Sequence, residues 1–199
     1  MTIDICAVVE WVPRDIAPAR ALGEGPYVIV AATGERTLEE RLATRLSLLR
    51  ALGPSGCLPV RFGPAVADDD AAVAWLRDRR SDIARALARA AGRVEFDLHL
   101  GVDAAAPASI DGDGPGARYL RELAARHAAP SPDALGRALE ACRELPGVAE
   151  TEVVADAGFI AFLASDPRAF ARAARAVEIE GARWSGPWAP FTFAARWLA

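Results

Sequence analysis

Apolar residues recur along the chain with two spacings, and the switches between them mark out the elements. Residues 3–12, opening Ile3-Asp4-Ile5-Cys6-Ala7, alternate apolar and mixed positions and predict a strand, and residues 27–32 predict a second, short apolar one. The stretch 13–26 between them holds three Pro and two Gly and predicts a loop. Thr37 followed by Glu40 forms a capping box, and Leu38, Leu42, Leu46 and Leu49 continue at helical spacing, which predicts a helix with one buried leucine stripe, stopped at Gly53-Pro54. In residues 57–62, Leu58, Val60 and Phe62 fall on one face of a strand, with Cys57, Pro59 and Arg61 on the other. Pro59 cannot donate to a ladder, so this strand belongs at a sheet edge.

Asp68, Asp69 and Asp70 suit the positive end of a helix dipole and open a helix running to Gly92, with Val73, Leu76, Ile83 and Leu87 as its core stripe. Val94, Phe96, Leu98, Leu100 and Val102 then alternate with Arg93, Glu95, Asp97, His99 and Gly101, the pattern of a half-buried strand with a polar outer face. A Gly/Ala/Asp-rich loop follows at 103–116, then helices at 117–127 and 132–144, the second with Ser131 as cap and Pro132 at its first position. Residues 148–155 and 159–164 predict a hairpin around Asp156-Ala157-Gly158. Asp166-Pro167 opens a last helix with Phe170, Ala174 and Val177 facing inward; 184–193 predicts a final strand and 194–199 a tail.

From Gly92 onward the order is β, α, β, β, α, β with an extra helix in the first crossover, the order of a ferredoxin-like sandwich. The first half reads β, β, α, β, α. The expected class is therefore α+β with two domains, 1–91 and 92–199, the second ferredoxin-like.

Composition narrows the chemistry. The 199 residues are 52% hydrophobic and 25% charged, with a net charge of -4, an ordinary globular balance. Lys, Asn and Gln are absent, so every one of the 23 basic residues is Arg. That removes Schiff-base and P-loop lysines and amide oxyanion donors. The Arg residues are interleaved with Asp and Glu at helical spacing, which describes solvated helix faces rather than a nucleic-acid surface. Cys6, Cys57 and Cys142 lie in apolar runs, an odd count that suits free thiols in a reducing cytoplasm. The opening residues lack a basic leader, and no apolar run is long enough to cross a membrane.

Five strings, in this order, resemble the GvpL/GvpF family of gas vesicle accessory proteins: Leu58-Pro59-Val60-Arg61-Phe62-Gly63, the acidic helix start, Gly92-Arg93-Val94-Glu95-Phe96, Gly116-Ala117-Arg118-Tyr119-Leu120, and Gly186-Pro187-Trp188-Ala189-Pro190-Phe191. The resemblance spans about residues 42–193. It implies two α+β domains, the second ferredoxin-like, and a non-enzymatic role in building a protein-walled cytoplasmic gas compartment. It also implies contact with the small hydrophobic shell protein of GvpA type and with other accessory proteins, with no cofactor, nucleic acid or membrane. The chain departs from the family at its opening, Ile5-Cys6-Ala7-Val8-Val9 in place of a Tyr-containing string, at Ala189 where Pro is commoner, and at Phe191-Thr192 in place of Tyr-Ser.

The candidate residues follow from these strings. Arg61 beside a Phe-Gly turn needs a partner if it is buried, so it is expected to brace against Glu95 or one of Asp68, Asp69 and Asp70; otherwise it meets a partner directly. Leu58, Pro59, Gly63, Gly186, Pro187 and Pro190 shape the backbone. Arg61, Phe62, Trp184, Trp188, Phe191 and Trp197 are the candidate partner contacts, since Trp dominates interface hot spots. His99 and His127 lack a ligand at metal spacing, and Asp111-Gly112-Asp113-Gly114 lacks the rest of a calcium loop, so no metal site is expected. Two rival readings stand beside assembly. A small ferredoxin-like oxygenase or decarboxylase would need at least two of His99, Tyr119 and Arg61 in one closed pocket of roughly 300 Å³ or more. A regulatory domain would bind a small ligand between subunits.

Overall fold

The computed structural model describes residues 2–12, 16, 19–23, 25–32, 37–53, 56–61, 65–101 and 130–198. Strand β1 (Ile3–Val9) is buried at every position. It pairs antiparallel with β3 (Tyr27–Ala32) on one side and with β4 (Cys57–Pro59) and β5 (Ala65–Val66) on the other. A short strand, β2 (Arg20–Leu22), extends the sheet beyond β3, inside the stretch expected to be loop. The ladder steps from Ile5↔Val30 to Ala7↔Ile29, so Cys6 is an extra residue, a bulge. Cys6 and Ala7 thus both face one side of the sheet while Ile3, Ile5 and Val8 face the other. Helices cover both faces, so β1 is apolar at every position but Asp4.

Helix α1 (Leu38–Leu52) covers the Cys6 face and carries the expected capping box between Thr37 and Glu40. Its leucine stripe is not the expected one. Arg45, Leu48, Leu49 and Leu52 are buried, whereas Leu38, Leu42 and Leu46 are 58%, 38% and 51% exposed. The sheet decides the rotation. Asp4 in β1 takes two hydrogen bonds from the Arg41 guanidinium, at 2.9 and 2.6 Å, and Arg45 donates to the Ile5 carbonyl at the bulge, 3.1 Å. Buried polar groups on β1 need those partners, so the Arg41–Arg45 side of the helix turns inward.

The opposite face carries α2 (Asp69–Asp78) and α3 (Arg80–Ala90), one helix in expectation but broken at Arg79, φ -105, ψ 13. Asp68 caps α2 through the Ala71 amide, 2.9 Å. Leu76, Ile83 and Leu87 join the core as expected, and Val73 stays half-exposed.

The second sheet holds β6 (Val94–Leu100), β7 (Val148–Val154), β8 (Phe159–Ala164) and β9 (Ala182–Trp188) in the order β7-β8-β6-β9, all pairs antiparallel. With α4 (Pro132–Ala141) before β7 and α5 (Pro167–Ala174) before β9, this is the ferredoxin-like sandwich. The expected cap at Ser131 is present, accepting from the Ala134 amide, and Asp166, which opens the last helix as expected, accepts from the Ala169 amide. The core between sheet and helices includes Phe96, Leu98, Phe162 and Phe170, with Phe96 and Phe170 stacked at 4.7 Å. The expected loop at 103–116, the helix at 117–127, His127 and the Asp111–Gly114 string lie outside the described residues.

The expected long final strand ends at Trp188. After the Ala189-Pro190 corner the chain turns into helix α6 (Phe191–Trp197), where a strand and tail were expected. Phe193 and Trp197, one helical turn apart, bring their ring centroids to 5.9 Å. Phe193 packs on Ala161 and Leu163, the outer face of the second sheet. Ala194, Trp197 and Leu198 join the core of the first sheet. The helix thereby lies along β4 and α3 and covers the β4 edge. Arg89 of α3 and Arg196 of α6 both reach Glu150 of β7, at 3.1 and 2.6 Å, Arg196 also pairs with Glu152, and Arg89 lies 5.0 Å over the Trp197 ring.

Candidate partner-docking site

The first sequence string serves the core. Leu58 is fully buried, and Pro59 sits opposite Ala7 in the edge strand, as its missing donor requires. Arg61 is exposed, and the expected brace does not form. Glu95 is occupied by Thr192, Asp68 caps α2, Asp69 pairs with Arg20, and Asp70 faces solvent. Phe62 and Gly63 lie outside the described residues.

The closing string builds a surface. Between Glu95↔Trp188 and Asp97↔Ser185 the β9 strand carries an extra residue, and Gly186 sits in that bulge with φ 113. A Cβ there would lie 2.7 Å from the Glu95 carbonyl oxygen and 3.0 Å from the Phe96 ring, so only glycine fits. The bulge throws Pro187 and Trp188 outward toward α1. Pro187, Trp188, Ala189 and Phe191 then face Leu46, Leu49, Arg50 and Gly53 across a groove of about 230 Å³. Trp188 is 40% exposed at its rim. Leu42 and Leu38, one and two helical turns before Leu46 along α1, are exposed as well.

Of the candidate contacts, Trp188 and Phe191 meet in this groove. Trp184, Trp188 and Trp197 do not form one aromatic patch. Trp184 packs against Phe162 and Phe170 at the rim of the second core, and Trp197 is held between Phe193 and the Arg89 guanidinium. The leucines that complete the site were assigned to the core from sequence. The available signal was that α1 carries apolar residues on two faces, more than one buried stripe needs.

Two sets of polar groups on β6 and β9 support the groove from behind. Glu95 and Asp97 were expected on a solvated strand face, but α6 covers it, leaving them 1% and 9% exposed. The Thr192 amide donates to Glu95 at 2.9 Å and the Thr192 hydroxyl at 2.8 Å, so Glu95 caps a helix whose own Pro190 has no side-chain acceptor. Burial, then the neighbouring Asp97, raises the Glu95 pKa to about 8, against the opposing pull of the Thr192 bonds. Burial raises Asp97 as well. Further along, Ser185 is shared. Its hydroxyl is 3.0 Å from His99 Nε2 and accepts the Trp188 indole N–H at 3.1 Å. Glu95 thus holds the start of α6, which carries Phe191, and Ser185 holds the ring of Trp188.

A second cleft, of about 460 Å³, lies between the turn before β3 and α2, lined by Gly23, Gly25, Leu76, Arg77 and Arg80. Neither cleft contains His99, on β6, or Arg61, two residues past the end of β4, and Tyr119 lies outside the described residues.

The sequence matches the family described as gas vesicle synthesis protein GvpL/GvpF over residues 2–195. The chain belongs to the GvpL/GvpF family. Two solved structures share its fold: the gas vesicle protein GvpF from Microcystis aeruginosa, with a TM-score of 0.65 at 14% identity, and GvpF from Anabaena sp. PCC7120, with a TM-score of 0.60 at 15% identity. Each likeness covers 97% of this chain and 98% of the other. No functionally curated protein matches the sequence. The family places the chain among gas vesicle proteins, and no described helix is long and apolar enough to span a membrane.

Proposed function

We propose that this GvpL/GvpF protein is a non-enzymatic accessory of gas vesicle assembly, working in the cytoplasm and at the vesicle, and that it holds the hydrophobic shell protein in the groove between α1 and the β9–α6 corner. The observation that carries this reading is the run of exposed Leu38, Leu42 and Leu46 into a groove walled by Trp188 and Phe191. A shell subunit that coats a gas space presents an apolar face, which aggregates in water unless covered. Arg61, Trp184 and Trp197 serve the same assembly from other positions, Arg61 as an exposed contact.

The area sets the strength. Leu38, Leu42, Leu46 and Trp188 are each about half exposed, so covering them yields on the order of 3–6 kcal/mol. Association itself costs ~4–15 kcal/mol. An equal apolar area buried on the partner roughly doubles that gain, to about 6–12 kcal/mol, which is close to the cost, so the groove supports weak, reversible capture, which suits handing a subunit onward better than holding it permanently. Capture of purified shell protein on immobilised protein, compared with Trp188→Ala, tests the reading. Binding that falls several-fold in the variant is expected; a wild-type protein that retains no shell protein refutes it.

A further inference from the structure

We propose that the segment bound here is an amphipathic helix lying alongside α1, its direction set by opposite charges at the two ends of the leucine ridge; the inference rests on the docking reading above. Leu38, Leu42 and Leu46 stand four residues apart, and Arg50 continues the same row. With a rise of 1.5 Å per residue the three leucines span about 12 Å, more than two turns. Rows at four-residue spacing are the ridges that pack into the grooves of a second helix.

The ridge also discriminates between helix and strand. It is a side-chain surface with no free backbone donor or acceptor. An extended segment laid on it would leave its own amides and carbonyls unpaired against leucine, which is costly. A helix satisfies those groups internally and presents only side chains. The β4 edge beneath, which could have accepted a strand, is covered by α6.

Charge gives the direction. Glu39 is exposed beside Leu38, and Arg50 is exposed at the far end, where it lines the groove. Neither has an ion-pair partner among the described residues, whereas Arg41 between them is engaged by Asp4. A complementary helix carries a basic residue over Glu39 and an acidic residue over Arg50, about 16 Å or three turns apart, with apolar residues between. Its final turn meets Trp188 and Phe191.

The test is thiol cross-linking in the full-length protein. The native thiols of Cys6, Cys57 and Cys142 are buried, and burial pushes them up to about 11, 12 and 11, so a single exposed cysteine reports alone. Leu42→Cys and Leu46→Cys are each joined by a bismaleimide to shell protein carrying one cysteine scanned along its length. Shell positions that react at intervals of three and four residues are expected. Arg50→Glu should weaken capture at least tenfold, with recovery when one acidic shell residue is reversed to Arg. Reaction at intervals of two overturns the helix while leaving the docking reading intact, and capture with no cross-link to the ridge overturns both. Loss of capture by the wild-type protein overturns the docking reading itself.

Discussion

Glu95→Gln is expected to flatten the fall in stability with pH that the wild-type protein shows between about pH 5 and 8. Glu95 is 1% exposed and its pKa rises from 4.5 to about 8, first through burial and then through Asp97. Between those two values the folded chain keeps the Glu95 proton and the unfolded chain does not. Stability from this group is therefore fully present below about pH 4.5 and is lost as pH rises to about 8, by ~1.4 kcal/mol per unit and ~5 kcal/mol across the interval at most. Asp97 is shifted in the same direction, so some slope survives in the variant. Glutamine stays neutral at every pH, and its carbonyl can still accept from the Thr192 amide. Urea unfolding of both proteins at pH 5, 6, 7, 8 and 9 measures the effect. The variant should gain on the wild type by a few kcal/mol as pH rises from 5 to 8. Parallel profiles would show that Glu95 is ionised in the fold.

Three further outcomes check other parts of the structure. Gly186→Ala should cost ~1–3 kcal/mol, because the positive φ and the 2.7 Å approach to the Glu95 carbonyl admit no Cβ; a thermal midpoint equal to that of the wild type contradicts the bulge geometry. Leu42→Ser should change stability by less than about 0.5 kcal/mol yet reduce capture of shell protein, whereas Leu48→Ala should cost ~2–5 kcal/mol; chemical denaturation giving the reverse ranking would put the leucine stripe back in the core. Arg61→Ala should leave stability within about 0.5 kcal/mol of the wild type, since the side chain is exposed and has no ion-pair partner among the described residues, and a calorimetric loss of several kcal/mol would mean that a buried partner exists.

What the sequence alone determined is what depends on neighbours within a few residues. The caps at Thr37, Asp68, Ser131 and Asp166, the hairpin at Gly158 and the inward set Val94, Phe96 and Leu98 are all local, because a cap reaches three residues along and a strand repeats every two. The order of strands after Gly92 was enough to state the ferredoxin-like sandwich, since right-handed crossovers leave few alternatives. The motif at 186–191 pointed to Trp188 and Phe191 for the same reason: Gly and Pro spacing describes a local backbone path.

Tertiary structure alone decided which of two apolar faces α1 buries. Leucines lie on both sides of the helix, and the choice fell to Asp4 and the bulged Ile5 carbonyl on a strand more than thirty residues away. It also decided that Phe191–Trp197 is a helix. Phe191 and Phe193 alternate as a strand would, but Glu95 on β6 supplies the cap and two sheets supply the contacts that a seven-residue helix needs. The burial of Glu95 and Asp97 follows from that helix, and so does the groove. A hydrophobic pattern records how much surface must be covered, while the identity of what covers it depends on groups that meet only once the chain has folded.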